Sequence, residues 1–406
     1  MTRDVLIVGA GPAGISTALF LLARAPWLAG RLEVVDRAIF PRDKPCAGAV
    51  GARADKLLAS IGVRVDVPGV TVEGLRLDFS AGAVQRRVGP IGRVVRRLDF
   101  DAELVRVARA RGVPVTEGVR VTHVSRDAQG VTVETTAGVR RAAVLIGADG
   151  VGSVVRRSLG FPRGALHAQA VEVDTDVTHA DDAALLSFDF RAQDLVGYGW
   201  DFPTLVNGRL MMSRGVYDVD WDVHPRVDVA GRLTRHLEAR GLPADASRFK
   251  RYSVRGLELH RPMSAPRVLL VGEAAGVDPL LGEGIAQGVA YGDIAARYLV
   301  ERLEDGRFDF EDWRPFFSRT PTALDLMVRS AALPFLRHAP LRRAFEDVTL
   351  AAPEALDVTT SIFAGVTPPA RSAVSAFSRI SARALALAPR EVTAALKRRF
   401  TDGANA

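Results

Sequence analysis

The chain of 406 residues carries 54 Lys and Arg against 47 Asp and Glu, a net charge of +7, and 48% of its residues are hydrophobic. This hydrophobic content excludes a largely disordered chain, and the length is that of two or three domains. Basic and acidic residues alternate along most of the chain instead of forming basic patches, so we expect no nucleic-acid partner. A single cysteine, Cys46, excludes internal disulfides and indicates a cytoplasmic protein.

The first pattern in the chain is a short apolar run, Val5–Val8, followed by a glycine-rich turn at 9–14 and by apolar residues at helical spacing. Residues 5–23 contain no charge, a property that a signal peptide or a membrane span would share. The order of buried strand, glycine turn and helix is instead typical of a dinucleotide-binding unit. We therefore expect a strand, a turn and a helix here.

The glycines of this turn have the spacing that binding of a pyrophosphate requires. Gly9 permits a tight turn, Gly11 lets the backbone approach the anion, and Gly14 lets the helix pack closely on the strand. The next strand, 32–35, ends at Asp36, where a ribose-binding carboxylate is expected. Strand, turn, helix and acid together predict a dinucleotide site.

Alternation of apolar and polar residues returns in two separate parts of the chain and predicts a second layer of strands. These strands are at 70–79, 83–88, 167–176, 184–191 and 207–217. Between the two parts, the pattern predicts a helix at 100–110 and then a β-meander that ends at the glycine turn 147–153. The second layer thus interrupts the first domain.

A third glycine cluster follows the buried strand 267–271. Glu273 comes directly after this strand, where a carboxylate can bind a ribose or ribitol hydroxyl. Gly282 and Gly284 precede a helical run at 286–299, whose N-terminus can face an anionic ring edge. The rest of the chain is predicted to be mostly helical.

These three glycine motifs, in this order, resemble those of the para-hydroxybenzoate hydroxylase superfamily of FAD enzymes, over about residues 4–300. Two narrower motifs resemble the geranylgeranyl reductase family. Residues 40–48, Phe-Pro-Arg-Asp-Lys-Pro-Cys-Ala-Gly, match its Pro-Arg-x-Lys-x-Cys-Gly-Gly run. Residues 198–203, Tyr-Gly-Trp-Asp-Phe-Pro, match its Tyr-x-Trp-x-Phe-Pro motif.

The resemblance implies FAD as the cofactor, with Arg97 paired with its phosphate and the backbone of Val121 against its adenine. The residues that it implies at the cofactor are Gly9, Gly11, Ala13, Gly14, Asp36, Arg37, Cys46, Ala47, Gly48, Arg97, Val121, Asp149, Glu273, Gly284 and Ile285. Two of them depart from the family pattern. Glu273 replaces an Asp and adds a methylene, and Ala47 replaces a Gly and requires an ordinary φ.

The resemblance also implies a hydrophobic small-molecule substrate, bound by Tyr198, Trp200, Phe202 and Pro203. The three aromatic residues lie at period-2 spacing, which a plain sheet core would also produce. Cys46 and Tyr198 are the candidate catalytic residues, as donors of a proton. Solvent is the alternative donor, because unperturbed thiol and phenol groups have high pKa values.

The expected activity is reduction of carbon–carbon double bonds in an isoprenoid chain by hydride transfer from reduced flavin. One alternative is a class A monooxygenase that hydroxylates an aromatic or polyketide compound. Another is a flavin-dependent halogenase, which needs a cavity lysine, and Lys56 is the only remotely placed candidate. A second nucleotide-binding unit is absent from the sequence, so NAD(P)H or another donor would dock transiently. The seven histidines lack metal-ligand spacing, so we expect no metal.

We expect an α/β fold with three parts. A Rossmann-like FAD-binding domain (1–65, 96–165 and 260–310) is interrupted by a mostly antiparallel β-sheet substrate domain (66–95 and 166–259), and a helical C-terminal region follows (311–406). Most of the net charge lies in residues 361–406, which hold seven Lys and Arg against two acidic residues. An amphipathic segment at 371–399 predicts either a helix packed on the body or peripheral contact with an anionic membrane surface.

Overall fold

The computed structural model describes residues 2–192, 194–219, 228–352 and 356–366, together with residues 378, 379 and 382. The described chain has the expected α/β architecture. It contains a largely parallel sheet, a second and mostly antiparallel sheet, and helices that follow both in sequence. Apart from the three isolated positions, the predicted amphipathic segment 371–399 lies outside the described residues.

Strands dominate the first 270 residues, and helices dominate the rest of the described chain. The strands are β1 (Thr2–Val8), β2 (Leu32–Val35), β3 (Ala49–Gly51), β4 (Gly69–Phe79), β5 (Gly82–Val95), β6 (Val115–Thr116), β7 (Val121–Arg126), β8 (Val131–Thr135), β9 (Gly138–Gly147), β10 (His167–Thr175), β11 (Leu185–Asp189), β12 (Gly197–Val206), β13 (Arg209–Asp218), β14 (Lys250–Arg255), β15 (Ser264–Ala265) and β16 (Val268–Leu270). The helices are α1 (Pro12–Arg24), α2 (Ala52–Ala59), α3 (Arg97–Ala110), α4 (Val154–Ser158), α5 (Val229–Glu238), α6 (Ile285–Asp305), α7 (Trp313–Ser318), α8 (Pro321–Ala332), α9 (Pro334–Arg337), α10 (Ala339–Ala351) and α11 (Leu356–Phe363).

The first sheet is built around β1, which pairs in parallel with β2 on one side and with β9 on the other. Its strand order is β15-β16-β9-β1-β2-β6. Outside this order, β8 pairs with β9, and β7 pairs with β8. Residues Val5–Val8 are buried, as is usual for parallel strands covered on both faces. Helices α1 and α6 pack closely on each other, and the lack of a side chain on Gly292 permits this approach. A Cβ on Gly292 would lie only 2.7 Å from the backbone nitrogen of Thr17. The segment 5–23 is thus a strand, a turn and a helix, as expected.

Parallel strands of this sheet end at one common edge, and this edge places the predicted glycine turns together. The turn at 9–11 follows β1, Asp36 follows β2, the turn at 148–152 follows β9, and Gly272 is the second residue after β16. Ligands of open α/β sheets bind outside the carboxyl ends of the strands. The fold therefore brings together motifs that are separated by more than 200 residues in the sequence.

The second sheet has the strand order β14-β10-β13-β12-β11-β4-β5-β3. Its neighbouring strands run antiparallel except for the parallel pair β4 and β11. The hairpin of β12 and β13 turns at Asn207 and Gly208, whose φ angles are 51° and 78°, as an Asn-Gly type I′ turn requires. The predicted strand 207–217 therefore begins only at Arg209, and the predicted strand 83–88 is longer, since β5 continues to Val95.

The two faces of β12 have different surroundings. Tyr198, Trp200 and Phe202 point to the side of the first sheet and join a hydrophobic core there. Asp201 points to the other side, where α5 packs on the sheet and provides His236 as a partner at 3.2 Å. This difference follows from the strand period of two residues. It decides which residues of the 198–203 motif can reach a ligand.

Helices α7 to α11 follow the last strand, and α11 packs on β5, β4 and α2. In α8, the charged Arg329 is buried while Leu324 and Val328 are exposed by 61% and 55%. Among the described helices, none combines the length and the hydropathy that crossing a membrane requires.

Candidate functional site

A cavity of about 570 Å³ lies between the carboxyl edge of the first sheet and the inner face of the second. Its volume is in the range of small-molecule and cofactor sites. The sequence-predicted site residues that line it are Gly9, Gly11, Ala13, Asp36, Arg37, Cys46, Ala47, Gly48, Arg97, Val121, Asp149, Tyr198, Trp200, Phe202, Glu273, Gly284 and Ile285. The residues expected to bind the cofactor and those expected to bind the substrate thus surround the same cavity.

Two predicted site residues, Gly14 and Pro203, do not line this cavity. Pro203 lies on the face of β12 opposite to Trp200 and Phe202, because side chains alternate along a strand, and its expected contact with a substrate stays a prediction. Gly14 supports the turn from behind. A Cβ at this position would overlap the carbonyl of Gly9.

The turn between β1 and α1 has the geometry of an anion cradle. Gly9 has a φ of +109°, and a Cβ there would overlap the carbonyl of Ala148. Gly11 faces the cavity, since a Cβ on it would meet only Arg42, at 3.8 Å. Helix α1 begins at Pro12 without a side-chain cap, so its first N–H groups are left for a ligand.

An arginine pair adds positive charge to this cradle. The fully buried Asp101 accepts hydrogen bonds from Arg97 at 2.7 and 2.6 Å and pairs with Arg42 at 2.8 Å. Both arginines line the cavity, and Nη1 of Arg42 is buried without a partner among the described residues. Two guanidinium groups therefore share one carboxylate, and the excess positive charge with its unpaired donor fits a pyrophosphate.

Two carboxylates close the strand ends around the cradle. Asp36 accepts hydrogen bonds from the backbone N–H groups of Ala10 and Ala38, at 2.6 and 2.7 Å. Asp149 accepts from the N–H groups of Val154 and Val155 at the start of α4, and its second oxygen is buried without a partner among the described residues. Burial raises the pKa of Asp149. Both carboxyl groups are held by backbone and face the cavity.

The loop of residues 41–48 forms the wall between the two sheets. Gly48 has a φ of +81°, and a Cβ there would overlap the carbonyl of Val95. Ala47 has no positive φ, so the chain tolerates alanine where the family has glycine. Cys46 donates its N–H to Glu172 at 2.8 Å, and burial raises the pKa of its thiol. The thiol therefore stays protonated.

Glu273, the second departure from the family pattern, forms an ion pair with Lys44 at 3.0 Å. Its extra methylene extends the carboxylate toward this lysine of the 41–48 loop. Lys44 lines the cavity. Lys56 does not line it and donates instead to the carbonyl of Ala364 at 2.8 Å. The lysine considered for a halogenase is thus engaged outside the cavity.

An aromatic wall covers the other side of the cavity. The ring of Tyr198 lies 5.1 Å from that of Phe188 and 5.4 Å from that of Tyr217, and Trp200 and Phe202 continue the wall. The hydroxyl of Tyr198 donates to the carbonyl of Leu281 at 2.5 Å, and burial raises its pKa well above 10. Its proton is bound to a backbone carbonyl, so the geometry favours a wall residue over a proton donor.

Sequence reasoning missed several charged residues at or beside this cavity. Arg42 was within a recognised motif, and its charge could have been assigned to the pyrophosphate. Glu283 was visible as the charged residue between two glycines, and its partner Arg329 is 46 positions away. Glu172 is the one charged residue in the segment 168–173, in which all other residues but Gln169 are apolar. Burial raises the pKa of Glu172 to about 7.

Comparisons with known proteins show the family to which the chain belongs. A family model described as FAD binding domain matches residues 2–304. Menaquinone reductase of Mycobacterium tuberculosis is 32% identical over 330 residues, 74% of this chain and 77% of that protein. Digeranylgeranylglycerophospholipid reductase 1 of Methanopyrus kandleri is 30% identical over 332 residues, 75% of this chain and 82% of that protein.

The fold also matches a solved structure, a geranylgeranyl bacteriochlorophyll reductase-like protein of Thermoplasma acidophilum. It superposes with a TM-score of 0.72 at 20% identity, over 93% of this chain and 96% of that one. The expected α/β fold and the expected cofactor, FAD, are confirmed. The chain belongs to the FAD binding domain family and, within it, to the geranylgeranyl reductase family of FAD-dependent oxidoreductases.

Proposed function

We propose that the protein reduces carbon–carbon double bonds in an isoprenoid chain. The observation that carries this proposal is that the residues expected to bind the cofactor and the aromatic wall face each other across one shared cavity. Beyond the wall, the lining is aliphatic or aromatic at Leu75, Leu186, Val254 and Phe363. Such a surface binds an apolar chain by burying it. The two reductase names among the relatives support the same reaction class.

The residues of the first sheet would hold FAD. Its pyrophosphate would lie on the turn 9–11 beside Arg42 and Arg97, with Asp36 at the adenosine ribose and Glu273 at the ribityl chain. When it is bound and reduced, FAD supplies a hydride to one carbon of a double bond. The N-terminus of α6, at Gly284, would favour negative charge on the ring by roughly 0.3–2 kcal/mol.

The aromatic wall would orient the substrate and exclude water from the reacting bond. Trp200, which is 2% exposed, donates its indole N–H to the hydroxyl of Ser213, and Tyr217 donates to the carbonyl of Pro279. These polar atoms are therefore satisfied within the protein, and the rings present their apolar surface. The electron donor would be NAD(P)H or another carrier that docks transiently, as expected from the sequence.

The test is product analysis with the purified flavoprotein. The enzyme is reduced with dithionite without oxygen and mixed with polyprenyl alcohols and polyprenyl-bearing lipids of several chain lengths. We expect products that have gained two hydrogens per reduced bond. Absence of saturation at every chain length would refute the proposal. Oxygen incorporation into an aromatic compound during NAD(P)H oxidation would instead establish the monooxygenase alternative.

A further inference from the structure

Three carboxylates meet beside the cavity around one buried guanidinium. Arg329 of α8 contacts Glu283 at 3.0 Å and Asp325 at 2.9 Å, and it also pairs with Asp278. The only other described charge close to this group is Arg53 of α2, 3.8 Å from Asp325. Two cations therefore face three acids in a space from which water is largely excluded. A buried excess of negative charge is costly, so one of the three acids is expected to hold a proton.

The hydrogen bonds, together with burial, favour Glu283 as the acid that keeps the proton, although Oδ2 of Asp325 is also buried without a hydrogen-bond partner among the described residues. Asp278 accepts from the backbone N–H groups of Leu280 and Leu281 as well as from Arg329, and these donors stabilise its charged form. Asp325 accepts from Nε of the same arginine. Among the described residues, Glu283 has a charged contact with Arg329 and no backbone donor. Burial raises the pKa of Glu283 to about 7, whereas Arg329 lowers it.

Glu283 is also the member of this group that reaches the cavity together with Arg329. Both residues line it, while Asp278 and Asp325 do not. Glu283 stands directly before Gly284, which caps the N-terminus of α6. The loop that carries it is fixed, because Tyr198 donates to the carbonyl of Leu281. A protonated carboxyl group is thus held in place at the junction of the cofactor-type and substrate-type walls.

We propose that Glu283 is the acid that protonates the substrate. This inference rests on the proposed function. Hydride addition to one carbon of the double bond leaves the other carbon in need of a proton. As the new C–H bond forms there, the O–H bond of Glu283 breaks and its electron pair stays on the carboxylate. Arg329 stabilises that carboxylate, and water returns a proton to it before the next turnover.

The experiment compares Glu283→Gln with Asp325→Asn in the FAD-loaded protein. Loss of a positioned acid costs about 10²–10⁴-fold in rate, so Glu283→Gln is expected to bind FAD normally and to saturate polyprenyl chains at least about 100-fold more slowly. The wild-type rate should fall as the pH rises through about 7, the pKa of Glu283. Because the charge of Asp325 raises that pKa, Asp325→Asn should shift the fall to lower pH and keep the maximal rate.

A second readout does not depend on turnover. Infrared titration of the wild type should detect two protonated carboxyl groups that are lost near pH 7, those of Glu283 and Glu172. Only the signal of Glu283 should be absent from Glu283→Gln. Glu172→Gln is the matched control, because Glu172 is a second buried acid with a pKa of about 7 and does not line the cavity. An unchanged rate in Glu283→Gln, or an unshifted pH profile in Asp325→Asn, would overturn the inference. Failure of the wild type to saturate any chain would refute the proposed function instead.

Discussion

The indole of Trp200 lies against Gly215 on the neighbouring strand. The two residues are register partners of β12 and β13, and a Cβ on Gly215 would overlap the six-membered ring of Trp200. The absence of a side chain on one strand therefore creates the space in which the other strand places its largest wall residue. The shape of the substrate side of the cavity depends on a residue that does not line it.

Gly215→Ala tests this relationship. We expect Trp200 to move into the cavity, with overpacking that lowers the free energy of unfolding by about 1–3 kcal/mol. The KM for a polyprenyl substrate should rise, while the Kd for FAD should stay unchanged because the cradle at 9–11 belongs to the other sheet. Urea unfolding, steady-state kinetics and FAD titration measure the three quantities. An unchanged KM would show that the indole position does not shape the substrate site.

Arg42 is expected to contribute to FAD binding through its unpaired Nη1. A hydrogen bond to a charged group contributes about 1.5–3 kcal/mol, so Arg42→Ala should raise the Kd for FAD by roughly 10- to 150-fold. Fluorescence titration of the apoprotein with FAD measures this change. Arg106→Ala is the control, since Arg106 is exposed on α3 and pairs with Glu103. Equal affinities of all three proteins would contradict the assignment.

The pair of Lys44 and Glu273 should tune the flavin potential. Lys44→Met leaves the carboxylate of Glu273 without its partner, and this negative charge opposes an anionic reduced flavin. We expect the two-electron potential to fall by roughly 10–30 mV, equivalent to about 0.5–1.4 kcal/mol. Glu273→Gln should change it in the opposite direction. Spectroelectrochemical titration measures both, and shifts of the same sign in the two variants would refute this explanation.

The buried ion network behind the aromatic wall is expected to stabilise the fold. Asp201 is 6% exposed and contacts Arg214, Arg240 and His236. Burial by itself raises its pKa, but these three partners outweigh burial and hold the pKa far below its usual range. The stability that Asp201 contributes is therefore complete above about pH 4, the pKa of an unfolded aspartate, and it declines as the pH falls further.

Asp201→Asn should lower the free energy of unfolding by about 3–5 kcal/mol, because it removes one of the two carboxylates that Arg214 and Arg240 each contact. Urea denaturation at pH 7 measures this loss. Asp176→Asn provides the comparison, as Asp176 pairs with Arg209 where both side chains are exposed, and a change within about 0.5 kcal/mol is expected there. Losses of similar size in the two variants would contradict the role of burial.

Glu172 should give the stability a distinct pH dependence. Its pKa is about 7 in the folded protein, where burial disfavours the charged form, and about 4.3 when unfolded. The folded state therefore binds more protons between these values, and stability falls as the pH rises, by up to about 1.4 kcal/mol per pH unit. Glu172→Gln removes this contribution, while the similar contribution of Glu283 remains. Unfolding curves from pH 4 to 8 measure it, and parallel profiles of the two proteins would contradict the prediction.

Local backbone requirements made much of the cradle predictable from the sequence. Gly9 and Gly48 occupy positive φ, and Asp36 ends a strand that a short apolar run marks clearly. The alternation of side chains along a strand also places Trp200 and Phe202 on one face of β12. The same alternation places Pro203 on the opposite face of the strand, whereas the motif alone gives no information about the face.

Contacts between distant positions were not accessible to sequence reasoning. Glu283 and Arg329 are on different elements, and the hydroxyl of Tyr198 is bound by a carbonyl 83 residues away. The burial of Asp101 between Arg42 and Arg97 likewise requires the packed fold. Such pairs depend on tertiary distance, which neither periodicity nor glycine spacing encodes.

The anchoring of the 41–48 loop limits where a long substrate could enter the cavity. The loop is anchored by Asp43 to Lys250 at 2.6 Å and by Cys46 to Glu172, and it continues into β3, which pairs with β5. A lid moves about hinge residues that are free to change conformation. The 41–48 loop would have to break the pairing of β3 with β5 in order to move in this way. It is a fixed jamb. Under the proposed function, an isoprenoid chain would therefore enter at another part of the lining, such as that formed by Thr359 and Phe363 of α11.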